Sequence, residues 1–486
     1  MNALEERKMS GNSRRSRLPL AARQRGQVLI IVGLSLAVLI GAVGLAIDSG
    51  RAYGVKARLN AAVDAAAIAA ARALSEGADD NARRANAIAV GERFFRMNYP
   101  DGFLGSTPSA PTITAVHEAS GYWRVNASAT ASMPTTFMRV LAGDTVVAPS
   151  AAGEAIRRDL DVVLVMDTSG SLGPPTSPAS VFPTLKSAAK SSFINRFAAG
   201  ENGDRVGLVS FSSGAVVDVQ IRRATRGFNR ATINNGIDAL PLGGATASAE
   251  GMRKALDELN AIPAAVRSSL RVILFFSDGA PNIINGTFPR QGTSAVTGNL
   301  YSETSDGSLE DRRRPRRTLC RASDGACRVF PQNQRNGAES WYSTGNSPDV
   351  DGPRITSLPL TGSGSVSLAS YNNRRTLNGS PYANNRCNVN KAARNMVENI
   401  ANTARGQDVR IYTIGLGEAL NDLEVTFCGY GNNERGATIL RRLANAVDSD
   451  TYNPAQPQGL YCHAATASEL DRCFSTIASE ILRLTL

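Results

Sequence analysis

Residues 161–171 read DVVLVMDTSGS. Five apolar residues run into Asp167, after which Ser169 and Ser171 fall at alternate positions with Gly170 between them. A short apolar run bounded by turn-forming residues is the mark of a strand buried on both faces, as in a parallel sheet. Three later runs have the same character: RVGLVSF (205–211), RVILFFS (271–277) and DVRIYTIGLG (408–417). Amphipathic stretches predict helices over 181–197, 246–260, 391–403, 437–447 and 468–484. AVVDVQIRR, following Ser213 and Gly214, predicts one antiparallel edge hairpin. Strand alternating with helix makes the fold class α/β, a doubly wound and mostly parallel sheet.

In an open parallel sheet, ligands bind beyond the carboxyl ends of the strands, where strand order reverses. Asp167, Ser169 and Ser171 stand at such an end. Two other segments bring matching groups: LGGATAS places Thr246 after two glycines and before a helix, and FFSDG ends a strand at Asp278. All five side chains offer oxygen only, which suits a hard cation, Mg²⁺ first, with Mn²⁺ or Ca²⁺ as alternatives. With two carboxylates in the set, the ion keeps positive charge and can attract an outside carboxylate to an open position. Asp-x-Ser-x-Ser by itself serves equally well as a turn or a helix cap. Three segments, each at a strand–loop–helix junction, point to metal.

The chain has 486 residues, 42% of them hydrophobic, enough for several units with real cores. Much of its net charge of +11 sits in the first 25 residues, where Arg7, Lys8, Arg14, Arg15, Arg17, Arg23 and Arg25 face only Glu5 and Glu6. No aromatic-interleaved basic pattern marks a nucleic-acid partner. Residues 28–47, VLIIVGLSLAVLIGAVGLAI, carry no charge and no proline. Twenty helical residues span roughly 30 Å, the thickness of a bilayer's apolar core. The run exceeds a signal-peptide core of about 7–15 residues, and a buried soluble helix is its bland alternative. The positive-inside rule puts the basic tail, 1–27, in the cytoplasm and the rest outside.

Residues 50–75, rich in alanine, continue the helix into water. There the alanines and the Gly50/Gly54 spacing either admit a second helix or simply pack on neighbouring chain. A helix over 80–97, strands in TITAVHE, YWRVNASATASM and DTVVAPSAAGEAI, and a short helix in TTFMRVLAG make 48–158 a small α+β unit. Residues 159–486 form the α/β domain, interrupted by an insertion at about 285–389 that is rich in Gly, Ser, Asn, Arg and Pro. Its run RRRPRR (312–317) suits an anionic surface, though such a run more often is a solvated loop. Six cysteines, Cys320, Cys327, Cys387, Cys428, Cys462 and Cys473, lie on the outer side. An even number there favours disulfides, among 15 possible pairings, with the short Cys320–Cys327 loop preferred. With His117 and His463 the only histidines and no C-x-x-C pair, zinc or redox chemistry has little support. No P-loop, Ser-His-Asp set or G-x-S-x-G is visible, which disfavours an enzyme.

Two resemblances follow from these residues. Asp167-Thr-Ser169-Gly-Ser171, Thr246 in GGATAS and Asp278 in FFSDG closely resemble the metal-ion-dependent adhesion site (MIDAS) of von Willebrand factor A domains. The likeness covers about 159–284 and 390–486. It implies Asp167, Ser169, Ser171 and Thr246 as ligands, the two serines most directly, with Asp278 acting directly or through a water. LGPPTSPAS after Ser171 departs from the pattern and lengthens the approach to the first helix. The stretch RGQVLIIVGLSLAVLIGAVGLAIDSGRAYGVKARLNAAVDAAAIAAA and the ending FSTIASEILRLTL resemble TadG-like proteins of bacterial Flp/Tad pilus assembly. That likeness implies a non-enzymatic protein held in the inner membrane by one pass, with a pilin-like unit and an A-type domain in the periplasm. It implies as partners other pilus components, one offering an Asp or Glu carboxylate. Gly26 is followed five residues on by Ile31, not by the glutamate of a prepilin site, so the anchor is expected to be retained. The rival readings are a purely structural, pilin-like scaffold whose site only stabilises the fold, or a general surface adhesin.

Overall fold

The computed structural model describes residues 27–77, 79–118, 121–139, 143, 145–173, 181–290, 293–301, 357–359, 364–375, 385–422 and 434–485. The basic tail, RRRPRR, most of LGPPTSPAS, Cys428 and the Cys320–Cys327 loop lie outside these residues. Two compact units emerge. One comprises 27–59, 101–109 and 130–150; the other comprises 60–100, 110–129 and 151–485.

Helix α1 (Gln27–Ala73) is unbroken over 47 residues and contributes to both units. Its apolar run from Val28 to Ile47 is largely exposed, with Leu29 at 78%, and the helix is long and apolar enough to cross a membrane. In the first unit, Asp48 near its middle holds the turn at Thr136–Met138, and the two-residue strands Thr107–Pro108 and Val146–Val147 pair with residues 131–134, which lead into that turn. Gly50 has open space around it, and Gly54 meets the Leu104 side chain. Among the described residues no second helix uses that pair.

In the second unit the alanines of α1 pack inward. Ala66 and Ala70 lie against Gly91 of helix α2 (Asp80–Asn98), where a Cβ would come within 3.1 Å of Ala70 Cβ and 2.6 Å of Ile113 Cδ1. Asp79 caps α2 by accepting the Ala82 N–H at 2.9 Å. Strand β1 (Thr112–Glu118) pairs antiparallel with β2 (Tyr122–Pro134), which also pairs with β3 (Ser150–Arg158). Their alternation buries Ile113, Ala115, Trp123 and Val125 on one face.

The rest of the unit is the α/β layer. Its sheet contains β4 (Leu160–Asp167), β5 (Arg205–Phe211), β6 (Ala215–Val219), β7 (Leu270–Ser277), β10 (Val409–Leu416) and β11 (Tyr461–Ala464). The order is β11-β10-β7-β4-β5-β6, parallel except for β6, which forms the anticipated antiparallel hairpin. Strand β4 is buried throughout. Val163 and Val165 face helices α5 (Ser248–Asn260), α6 (Asn385–Gly406) and α7 (Gly436–Ala444). Val162, Leu164 and Met166 face α3 (Phe182–Ala188), α4 (Arg230–Ala239) and α8 (Leu470–Leu484). Each such side chain, fully buried, contributes about 1.5–3 kcal/mol.

Four details differ from the sequence expectation. The helix expected over 181–197 is α-helical only to Ala188 and finishes in π and 3₁₀ turns. The one expected from Thr246 begins at Ser248, leaving Thr246 in the loop. Helix α4 and strand β11 have no counterpart in the sequence expectation. RATINNGIDA has weak helix formers and a central glycine, and its helix rests on the Asn229 cap and on Ile233 and Ile237 packing inward. Within 285–389 the chain forms a hairpin of β8 (Ile283–Arg290) and β9 (Thr293–Tyr301). Cys462 bonds Cys473, tying β11 to α8.

Candidate metal centre

Strands β4 and β7 are neighbours and run parallel, so Asp167 and Asp278 emerge side by side at their carboxyl ends. Asp167 is fully buried. One of its oxygens accepts the Ser169 N–H at 2.8 Å, and the other accepts the Ser277 hydroxyl at 2.6 Å. The backbone after Asp167 turns through a 3₁₀ turn, Gly170–Leu172, which lifts Ser171 to the surface. The Ser169 and Ser171 hydroxyls are 2.9 Å apart, and both reach Asp278 Oδ1, at 3.3 and 2.9 Å.

The loop carrying Thr246 is laced to the same edge. Gly243 N–H donates to Thr168 O at 2.8 Å, and Gly170 N–H donates to Gly244 O at 3.1 Å. Thr246 itself is buried, and its N–H donates to Asn282 Oδ1 at 2.9 Å. Its hydroxyl lies 3.7 Å from where a Cβ on Gly279 would stand, beside the Asp278 turn. Four of the five expected residues therefore form one hydrogen-bonded cluster. Thr246 reaches its flank without a hydrogen bond into it. Sequence reasoning missed Ser277, Asn282 and Ser213, which hold Asp167, Thr246 and Ala245 in place. Only Ser277 carried a signal, as the polar residue ending an apolar strand next to Asp278.

Burial, and then the charge of Asp278, push the Asp167 carboxyl well above the usual range; burial also raises Asp278. Among the described residues neither carboxylate is in an ion pair, and every hydrogen-bond donor to either is neutral. Nor do the described residues contain a group of three or more His, Cys, Asp or Glu placed to hold a metal. Two uncompensated carboxylates ringed by hydroxyls, closed below by Asp167 and Ser169 and open above at Ser171, fit a hard cation. Such an ion would relieve the repulsion and accept the hydroxyl oxygens.

Gly244 holds this edge at φ +96°, and a Cβ there would lie 2.8 Å from Ser213 Oγ. Gly244→Ala is therefore expected to cost about 1–2 kcal/mol from the backbone alone. It should also weaken Mg²⁺ binding in calorimetric titration, because the loop bearing Thr246 must shift. Unchanged affinity would mean that the loop takes no part in the site.

Residues 162–280 match the von Willebrand factor type A domain family, and residues 26–73 match the putative Flp pilus-assembly TadE/G-like family. The chain joins a TadE/G-like segment to a von Willebrand A-type domain. Among solved structures, the vWF domain of the type V pili tip protein Mfa5 from Porphyromonas gingivalis is 15% identical. The match covers 68% of this chain and 98% of that one, with a TM-score of 0.36. A point mutant of the PilB minor pilin from Streptococcus sanguinis is also 15% identical, over 77% of this chain and 78% of that one, TM-score 0.35. Proximal thread matrix protein 1 from the mussel byssus, with a zinc-occupied MIDAS motif, is 14% identical, over 68% of this chain and 46% of that one, TM-score 0.31. This chain thus spans less than half of the byssus protein's length. No curated protein matches the chain.

Proposed function

We propose that the chain is a membrane-anchored, non-enzymatic component of a bacterial Flp/Tad pilus-assembly system. In this reading α1 anchors it in the inner membrane with the tail in the cytoplasm, and the A-type domain works in the periplasm. The domain holds a partner's Asp or Glu through a divalent cation, Mg²⁺ or Mn²⁺ or Ca²⁺, at Asp167, Ser169, Ser171, Thr246 and Asp278. One observation carries the reading: two carboxylates that have no cationic partner among the described residues converge with two serine hydroxyls at an open sheet edge. A bound divalent ion supplies an electrophilic position for an incoming carboxylate. The chain's own residues orient that ion and, with Ser171 at the surface, leave it reachable.

The test is capture of pilus components by the detergent-solubilised protein, with Mg²⁺ and with chelator. Capture should be lost in chelator and restored by the cation. A cation that raises the melting temperature by mass action but leaves capture unchanged would make the site a stabiliser of a scaffold. Absence of any chelator-sensitive effect at millimolar cation would sink the metal reading.

A further inference from the structure

The first unit exposes apolar side chains in one band. Tyr53 is 77% exposed, Val146 59%, Leu104 44%, Val147 40% and Phe137 38%. Each lies on α1 near Ile47, where the apolar run ends, or is attached there directly or through one strand pairing. The Asp48 carboxylate accepts the backbone N–H groups of Thr136, Phe137 and Met138 at 2.9–3.0 Å, pinning that turn one residue past the run. Phe137 then lies on Gly44, inside the run, where a Cβ would come within 2.5 Å of Phe137 Cβ. Leu104 is held by Arg51, whose guanidinium donates to its carbonyl at 2.8 Å. Val146–Val147 pairs with Met133–Pro134, the strand end that leads into the turn.

These attachments fix a depth. Gly44 stands three residues before Ile47 and Tyr53 six residues after it, about 4.5 Å inside and about 9 Å beyond the end of the run. Amphipathic elements bed their apolar faces about 5–10 Å into the boundary between acyl chains and headgroups. Aromatic residues concentrate at that level. The band therefore coincides with the lipid interface if the run spans the bilayer.

We propose that Phe137, Val146, Val147, Leu104 and Tyr53 form a collar that beds in the lipid interface around the base of α1. This rests on the reading of α1 as a membrane anchor and adds a second, monotopic contact to it. The collar sets the depth of the helix and resists its rocking. Asp48 is the pin that holds it, because it bonds the turn directly to the helix.

The test uses the full chain in phosphatidylethanolamine/phosphatidylglycerol vesicles, with and without lipid brominated on its acyl chains. Phe137→Trp and, separately, Val146→Trp each add a fluorophore; the emission of the two native tryptophans is subtracted. Val146 is exposed, so its variant keeps the test sound should the packing on Gly44 refuse a larger ring. The added emission should be blue-shifted and lose most of its intensity in brominated lipid. If the protein stays in the vesicles after a carbonate wash but neither added tryptophan is quenched, the collar is wrong and the anchor stands. A blue shift without quenching would assign the band to a protein partner or a second copy, which also overturns the proposal. Release by carbonate would overturn collar and anchor together.

Discussion

Asp167→Asn is expected to weaken divalent-cation binding severely and, in chelator at neutral pH, to raise the melting temperature. The two effects have one cause. Asp167 ionises in the folded state against burial and against Asp278. Its folded pKa is therefore raised above the ordinary value of about 3.9, so the folded state binds protons more tightly than the unfolded chain. For a carboxyl shifted in this direction, stability is highest at low pH. It falls as pH rises from about 4 towards the raised folded value, then stays lower. The substitution removes that loss. Its amide can still accept the Ser169 N–H and can donate to Ser277 Oγ, whose hydroxyl has Gly279 O at 2.9 Å as another acceptor. Both donors that Asp167 now serves, the Ser169 N–H and the Ser277 hydroxyl, keep an acceptor. A gain of about 1–3 kcal/mol for the cation-free protein at pH 7 is the expected scale, one pKa unit being about 1.4 kcal/mol. Mg²⁺ affinity should fall by a factor of about 100 or more, the ~2.7 kcal/mol scale of one lost charged contact. Thermal unfolding across pH 4–8, with and without cation, reads both effects. A variant that is less stable than wild type in chelator at pH 7 would show that Asp167 is not strained by its surroundings.

The fold and much of this site were legible because the decisive elements are buried on both faces. Strand β4 has no choice of face to encode, so it appears as an unbroken apolar run, and its end is marked by the first carboxylate. The same holds for β5, β7 and β10. Strand β11 was not legible. It has four residues, YCHA, and is placed by pairing with β10 and by the Cys462–Cys473 bond rather than by its own pattern. Helix α4 was hidden for the opposite reason, since two buried isoleucines outweigh the poor propensities of their neighbours. At the site, Asp167, Ser169, Ser171 and Asp278 could be read from strand ends. The supports Ser213, Ser277 and Asn282 act only through three-dimensional proximity. Thr246 could be matched by its loop but not placed relative to the cluster.

Glu434→Gln is expected to destabilise the fold by about 3–5 kcal/mol, the cost of breaking a buried ion pair by removing one partner. Glu434 is 8% exposed and receives three guanidiniums. Arg375 donates to both of its oxygens, at 2.7 and 2.8 Å; Arg394 donates at 3.1 Å and Arg442 at 2.8 Å. Glu398, also buried, takes Arg375 at 2.6 Å and Arg442 at 3.3 Å, and Asp450 takes the other edge of Arg442 at 2.8 and 2.9 Å. With Arg374 also on Asp450 at 2.9 Å, four positive charges thus meet three negative ones. The cluster joins stretch 364–375, helix α6 and α7 with the segment entering it, elements that also share apolar core through Val366, Leu368, Met396 and Ile439. Burial pushes the Glu434 carboxyl up, but the hydrogen bonds and charge of Arg375, then Arg394 and Arg442, outweigh it and hold it well below the usual range. A depressed carboxyl contributes its stability above its unfolded value of about 4.3 and loses it as pH falls towards the folded one. Wild type and variant should therefore differ most at neutral pH and converge on acidification. Glutamine keeps the volume and one acceptor, so the loss reports the uncompensated guanidiniums rather than a cavity. Denaturant unfolding at pH 7 and at pH 3 decides the matter. A loss below about 1 kcal/mol at pH 7, the scale of an exposed pair, would mean that water screens the cluster.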